Sequence, residues 1–157
     1  FARSIKSSKW DGVIRAVSGS DKLLDATLNG DEEAVAAAID EAHSDTVSIL
    51  QYNNENALSC VISLAYYSAR QFYTLQRECP AGKGFADIVF MPRKKTDKPA
   101  MIVELKWNAS AEGAVEQIEN KEYVKALKDY RGTVLLVGIN YDKAAKKHRC
   151  RIKKVII

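Results

Sequence analysis

The spacing of apolar positions changes along this chain, and each change marks a new element. From Ser20 to Leu28 the apolar residues Leu23, Leu24, Ala26 and Leu28 fall at helical spacing, and the run stops at Asn29-Gly30, a fitting helix end. Asp31 can cap a second helix, with Glu32 and Glu33 at its positive end and Val35, Ala36 and Ile39 on its inner face. A longer helix is predicted from about Asn53 or Asn54, with Leu58, Val61, Ile62 and Ala65 as its buried stripe. Strand-like runs follow: Gln71 to Glu78, a turn at Pro80-Ala81-Gly82-Lys83-Gly84, Phe85 to Met91, a basic turn from Pro92 to Pro99, and Ala100 to Trp107. Next come a helix from about Ala111 to Tyr130 and two strands, Thr133 to Ile139 and about His148 to Ile156. The order helix, three strands, helix, two strands predicts a mixed α/β layer fold with a central sheet of about five strands.

Composition adds bounds. The 157 residues are 46% apolar and 28% charged, enough for one domain with a core plus a helical appendage. No apolar run approaches the roughly 18 residues of a membrane span, so a cytoplasmic protein is expected. The first residue is Phe1 rather than Met, which reads as a piece cut from a longer protein. Three cysteines, Cys60, Cys79 and Cys150, fit neither a disulfide framework nor a zinc knuckle, and two histidines are too few for a Cys/His metal cluster. Charge is uneven. Residues 1–52 carry five Lys/Arg against nine Asp/Glu, whereas residues 53–157 carry nineteen against eleven. The second part is the one suited to facing a polyanion.

The strand around Glu104 carries the chemistry. Side chains alternate along a strand, so Glu104 and Lys106 share one side with Ile102, while Met101, Val103, Leu105 and Trp107 fill the other. An acid and an ammonium in the middle of a central strand are costly unless paired or metal-bound. Asp87 sits similarly in the preceding strand, and if the two strands are neighbours Asp87 and Glu104 converge and repel unless a cation lies between them. An all-oxygen site of that kind suits Mg²⁺ or Mn²⁺, with Lys106 beside the metal to position or deprotonate a water. The competing reading is a buried ion pair of Lys106 with Glu104 or Asp87 and no further role.

Asp, a spacer, then Glu-x-Lys on adjacent strands resembles the PD-(D/E)xK nuclease superfamily. The blocks Gly84-Phe85-Ala86-Asp87-Ile88-Val89, Val103-Glu104-Leu105-Lys106, Gln117-Ile118-x-x-Lys121-x-Tyr123 and Val137-Gly138-Ile139-Asn140-Tyr141 resemble one branch of it. That branch is the C-terminal nuclease-like domain of bacterial proteins that begin with an AAA-type ATPase domain. Ala86 stands where the superfamily's name has Pro. The resemblance implies a restriction-endonuclease-like core over residues 53–157, with residues 1–52 as a helical lead-in or linker from an ATPase-like region. It implies metal ligation by Asp87 and Glu104, catalysis by Lys106, and a contribution from Gln117 near the metal-bound water or a DNA phosphate. Gln117 and Lys121 are four apart on one helical strip, which also suits a plain solvated flank. Glu55 lies on the inward side of its helix, either as a first-turn dipole partner or as an acid reaching the site. Lys121 and Glu55 are the candidate accessory residues.

From Lys143 to Lys154 there are seven Lys/Arg and no acid, and Arg149, Arg151 and Lys153 alternate onto one face of the last strand. Contact with nucleic-acid phosphate, most simply DNA, fits these three. So does an edge strand charged against aggregation. Three functions remain: a Mg²⁺-dependent nuclease, a catalytically silent nucleic-acid-binding or regulatory module of an AAA-type ATPase, and a protein scaffold. No G-x-x-x-x-G-K-[ST] loop occurs, so an ATPase partner would lie outside this sequence.

Overall fold

Two apolar runs, Ala100–Leu105 and Val134–Tyr141, are buried throughout and lie side by side. In a computed structural model the chain is described over residues 14–15, 17–46, 61–81, 84–93, 97–120, 127 and 130–157, and the side chains of 45–46, 77–81, 84–87 and 120 fall outside that description. The described elements are α1 (Ser20–Leu28), α2 (Glu32–Thr46), β1 (Tyr73–Ala81), β2 (Gly84–Pro92), β3 (Ala100–Trp107), α3 (Ala111–Asn120), β4 (Thr133–Asp142) and β5 (Lys147–Ile156). A helical stretch at 61–65 and a 3₁₀ turn, Tyr67–Gln71, precede β1.

The sheet has the order β1-β2-β3-β4-β5. Neighbours are antiparallel except β3 and β4, which are parallel and joined by α3 as the crossover. Parallel central strands are covered on both faces, which explains the near-continuous apolar runs of β3 and β4. One face, with Ile88, Phe90, Met101, Val103, Leu105 and Val137, packs against α1, α2 and residues 61–65. The other, with Val89, Ile102, Val134 and Leu136, packs against Val115 and Ile118 of α3. The result is a five-stranded mixed sheet between helical layers, as the hydrophobic pattern predicts.

Element boundaries differ where side-chain periodicity is a weak guide. The first strand starts at Tyr73 because residues 67–71 wind into the 3₁₀ turn. β4 runs three residues past Ile139, since Asn140 to Asp142 continue the ladder with β5. The helix from Ala111 is described only as far as Asn120, and Tyr130 stands outside regular structure. The predicted helix caps at Asn53 and Asn54, with Glu55, Lys121 and Tyr123, lie outside the described residues. At Gly30 the backbone takes φ +73°, and Asp31 N–H donates to the Ala26 carbonyl at 2.9 Å, closing α1 as Asn-Gly suggests. The Asp31 carboxylate accepts from Ala34 N–H at 3.1 Å, the expected cap of α2.

α2 also closes the β5 edge. Glu32 accepts the Ile152 N–H at 2.8 Å, and Asp40 accepts the His148 N–H at 2.8 Å. Asp40 meets the His148 ring nitrogen Nδ1 at 2.7 Å as well. The chain's two histidines gather here. The His43 ring lies 5.6 Å from that of His148, with Tyr141 packed against both and Trp107 beyond it.

Burial pushes both imidazoles below their ordinary 6.5, although the Asp40 carboxylate pulls each the other way. Each folded-state value therefore lies under the unfolded one, so the unfolded chain binds these protons more readily. The contribution to stability is full above pH 6.5 and is lost as pH falls from there through the folded values. Chemical denaturation between about pH 7.5 and pH 5.5 should show stability declining with acidification, and a His43→Asn variant should decline less steeply.

Candidate active site

Glu104 is 3% exposed, on the face of β3 that α3 covers. Its nearest described polar partner comes from that helix: Gln117 Nε2 donates to Glu104 Oε1 at 2.5 Å. A bond to an ionised acceptor offsets part of the cost of burying the charge, on the order of 1.5–3 kcal/mol.

Gln117 reaches this point because α3 sits unusually close to β4. Gly138 is the β4 partner of Glu104 in the parallel register. A Cβ at Gly138 would stand 2.4 Å from the Ala111 carbonyl oxygen, 2.9 Å from Ala114 Cβ and 3.0 Å from Val115 Cγ2. Only glycine admits the first turns of α3 at that distance. The helix start is fixed by the loop before it. Ser110 Oγ accepts Gly113 N–H at 2.9 Å, and buried Asn140 accepts Ala109 N–H through Oδ1, also at 2.9 Å. Asn108, at φ +54°, turns the chain out of β3, and its N–H donates to the Tyr141 carbonyl at 2.8 Å.

Lys106 is half-buried, two residues beyond Glu104 on the same face, and pairs in register with Asn140. On the other side of β3 the register runs Ile88↔Val103, Val89↔Ile102 and Phe90↔Met101. Positions 87 and 104 lie one step beyond the Ile88↔Val103 end of that ladder. The strand carrying Asp87 is thus the antiparallel neighbour of β3, although the Asp87 side chain lies outside the described residues. Oxygen is the only donor type that Glu104 and the neighbouring carbonyls offer, and such a set fits a hard divalent cation. Among the described residues no three His, Cys, Asp or Glu side chains gather into a metal cage.

A family model described as the PD-(D/E)XK nuclease superfamily matches residues 53–151, more than half of the chain. The chain belongs to the PD-(D/E)XK nuclease superfamily. No curated protein matches it. Glu104-Leu105-Lys106 lies within the matched residues, and phosphodiester chemistry on nucleic acid is the general expectation for the family.

The cations of β5 have acidic neighbours. Arg151 Nη1 meets Glu32 at 3.2 Å and its Nε meets Glu112 at 3.1 Å, while Lys153 Nζ meets Glu119 at 2.7 Å. Arg149 is exposed. Glu32 and Glu112 hold the Arg151 guanidinium more firmly protonated. Pairs this exposed are weak and exchange readily for another anion.

Two residues that shape the site, Gly138 and Asn140, are not assigned roles by composition or charge. Their signals are a glycine inside an apolar strand and an asparagine at the end of a buried run. Gly138→Ala should drive α3 off β4, lowering stability by about 1–3 kcal/mol in thermal or chemical denaturation. A crystal structure of the variant should show Gln117 withdrawn from Glu104.

Proposed function

We propose that this chain is a DNA nuclease that hydrolyses phosphodiester bonds with a divalent metal, Mg²⁺ or Mn²⁺, held by Asp87 and Glu104. The supporting observation is Glu104 itself: a carboxylate buried at the middle of the sheet, oriented by Gln117, with Lys106 on the same face. A surface that only held nucleic acid would gain nothing from burying an acid there.

When bound, the metal supplies the charge that polarises the phosphoryl oxygen and lowers the pKa of water. Glu104 and Asp87 hold it in place through their carboxylate oxygens. Gln117 donates an amide N–H to Glu104, which leaves its carbonyl oxygen to accept a hydrogen bond from the attacking water. Lys106 sits at the partly open end of the strand, where its ammonium stabilises the charge that builds on the non-bridging oxygens. The attacking water gives up a proton to solvent as its oxygen bonds to phosphorus, the phosphorus–oxygen bond to the leaving strand breaks, and the leaving oxygen takes up a proton from solvent. Arg149, Arg151 and Lys153 hold the phosphate backbone, with Arg151 and Lys153 exchanging their carboxylate partners for phosphate. Glu55 and Lys121 are accessory residues in this reading. Residues 1–52 act as the lead-in from an ATPase domain of a longer chain. The bonds from Glu32 and Asp40 to β5 would carry movement of that region to the sheet edge.

Glu104→Gln should weaken Mn²⁺ binding in calorimetry and abolish cleavage of single-stranded or nicked DNA while leaving the fold intact. Lys106→Ala should keep the metal affinity and lose cleavage by about 100-fold or more. Cleavage that persists equally in Lys106→Ala would rule out this assignment.

Replacing Arg149, Arg151 and Lys153 together by Gln should lower DNA affinity across unrelated sequences and reduce the salt slope of binding by about two to three. A slope that does not move would mark β5 as a charged, protected edge and nothing more.

A further inference from the structure

The amino-terminal ends of β3 and β4 border a cavity of about 580 Å³, within the range of small-molecule sites. Among the described residues four cations line it, Arg93, Lys98, Arg131 and Lys154, against one carboxylate, Asp97. They converge from separate parts of the fold: the connection between β2 and β3, the residues leading into β4, and β5 itself. Like charges collected in a concavity repel, and a bound anion relieves that repulsion.

The contrast with the rest of β5 is informative. Arg151 and Lys153 end on carboxylates, whereas among the described residues neither Arg93 nor Lys154 forms an ion pair. Arg93 donates instead to the Arg70 carbonyl at 3.2 Å, and Arg131 donates to the Tyr130 carbonyl at 2.8 Å. The Lys98 ammonium lies 4.5 Å from the centre of the Phe72 ring. The Arg70 carbonyl orients Arg93 without cancelling its charge. Leu28 and Leu135 give the cavity apolar wall, and Tyr130, fixed by its hydroxyl donating to the Thr133 carbonyl at 2.8 Å, adds an aromatic one.

This cavity is separate from the Glu104 centre. Lys154 pairs with Leu135, on the face of the sheet turned away from Glu104. Ala100, where β3 begins, precedes Glu104 by four strand residues, about 13 Å. We propose that the cavity is a phosphate site for a ligand of nucleotide size, the cations taking the phosphate and the apolar and aromatic walls taking the remainder. Two sources share that chemistry, a free nucleoside monophosphate and the phosphorylated end of a nucleic-acid strand. The inference does not depend on the hydrolytic reading.

Calorimetry on the full chain in EDTA, which leaves no metal to hold phosphate at Glu104, tests it with three probes: adenosine monophosphate and a tetranucleotide with or without a 5′-phosphate. Wild type and Glu104→Gln should bind the phosphorylated probes alike, and Arg93→Gln/Lys154→Gln should bind them at least tenfold more weakly. Both replaced side chains are exposed, so that variant keeps its fold. A free nucleotide is the source if adenosine monophosphate binds as tightly as the phosphorylated tetranucleotide. A strand end is the source if the tetranucleotide binds tighter and loses at least tenfold without its phosphate. The proposal is overturned if the double variant binds the phosphorylated probes as wild type does, or if wild type binds none of them at millimolar concentration. Loss of cleavage in Glu104→Gln with nucleotide binding intact keeps this outcome apart from that of the nuclease reading.

Discussion

The arrangement around Glu104 rests on how closely one helix approaches one strand. α3 touches β4 at Gly138 with no room for a side chain, and Gly138 is the register partner of Glu104. That approach puts Gln117 within bonding distance of a carboxylate that the sheet buries. Asn140 holds the start of the same helix by accepting a backbone N–H from the loop that leads into it, and Ser110 by accepting one from the helix's first turn. Packing and electrostatics are therefore one problem here: a shift of the helix would leave Glu104 as a buried charge with one donor fewer.

Much of this arrangement was legible in the sequence. Alternation along β3 sorted Met101, Val103 and Leu105 from Ile102 and Glu104, and the two groups do lie in different cores. Acid-x-Lys spacing singled out Glu104 and Lys106, and helical periodicity put Gln117 at the border of the buried arc of α3. Contacts that join distant segments were not legible. Nothing local to Glu32 or Asp40 indicates that they bond β5 more than a hundred residues later, since such pairing is set by how whole layers stack. The same holds for the acids that meet Arg151 and Lys153, which turn an apparently uniform basic strand into one with compensated and uncompensated cations.

Cations on the two faces of β5 thus differ in kind. Arg151 and Lys153, on the α3 face, already hold counter-charges, and a polyanion must displace these to reach them. Lys154, on the other face, joins a concavity whose described lining also includes Arg93, Lys98 and Arg131. Equal numbers of lysines and arginines in a sequence do not make equal electrostatic surfaces, because the counter-ions are supplied by the fold.

The carboxylates of Glu32 and Asp40 have a consequence for assembly. A strand at the margin of a sheet recruits another strand by offering its outward N–H groups, and on β5 those of His148 and Ile152 are already taken. A second chain that sought to pair with this stretch of β5 would have to strip two charged acceptors from a packed helix to reach those N–H groups.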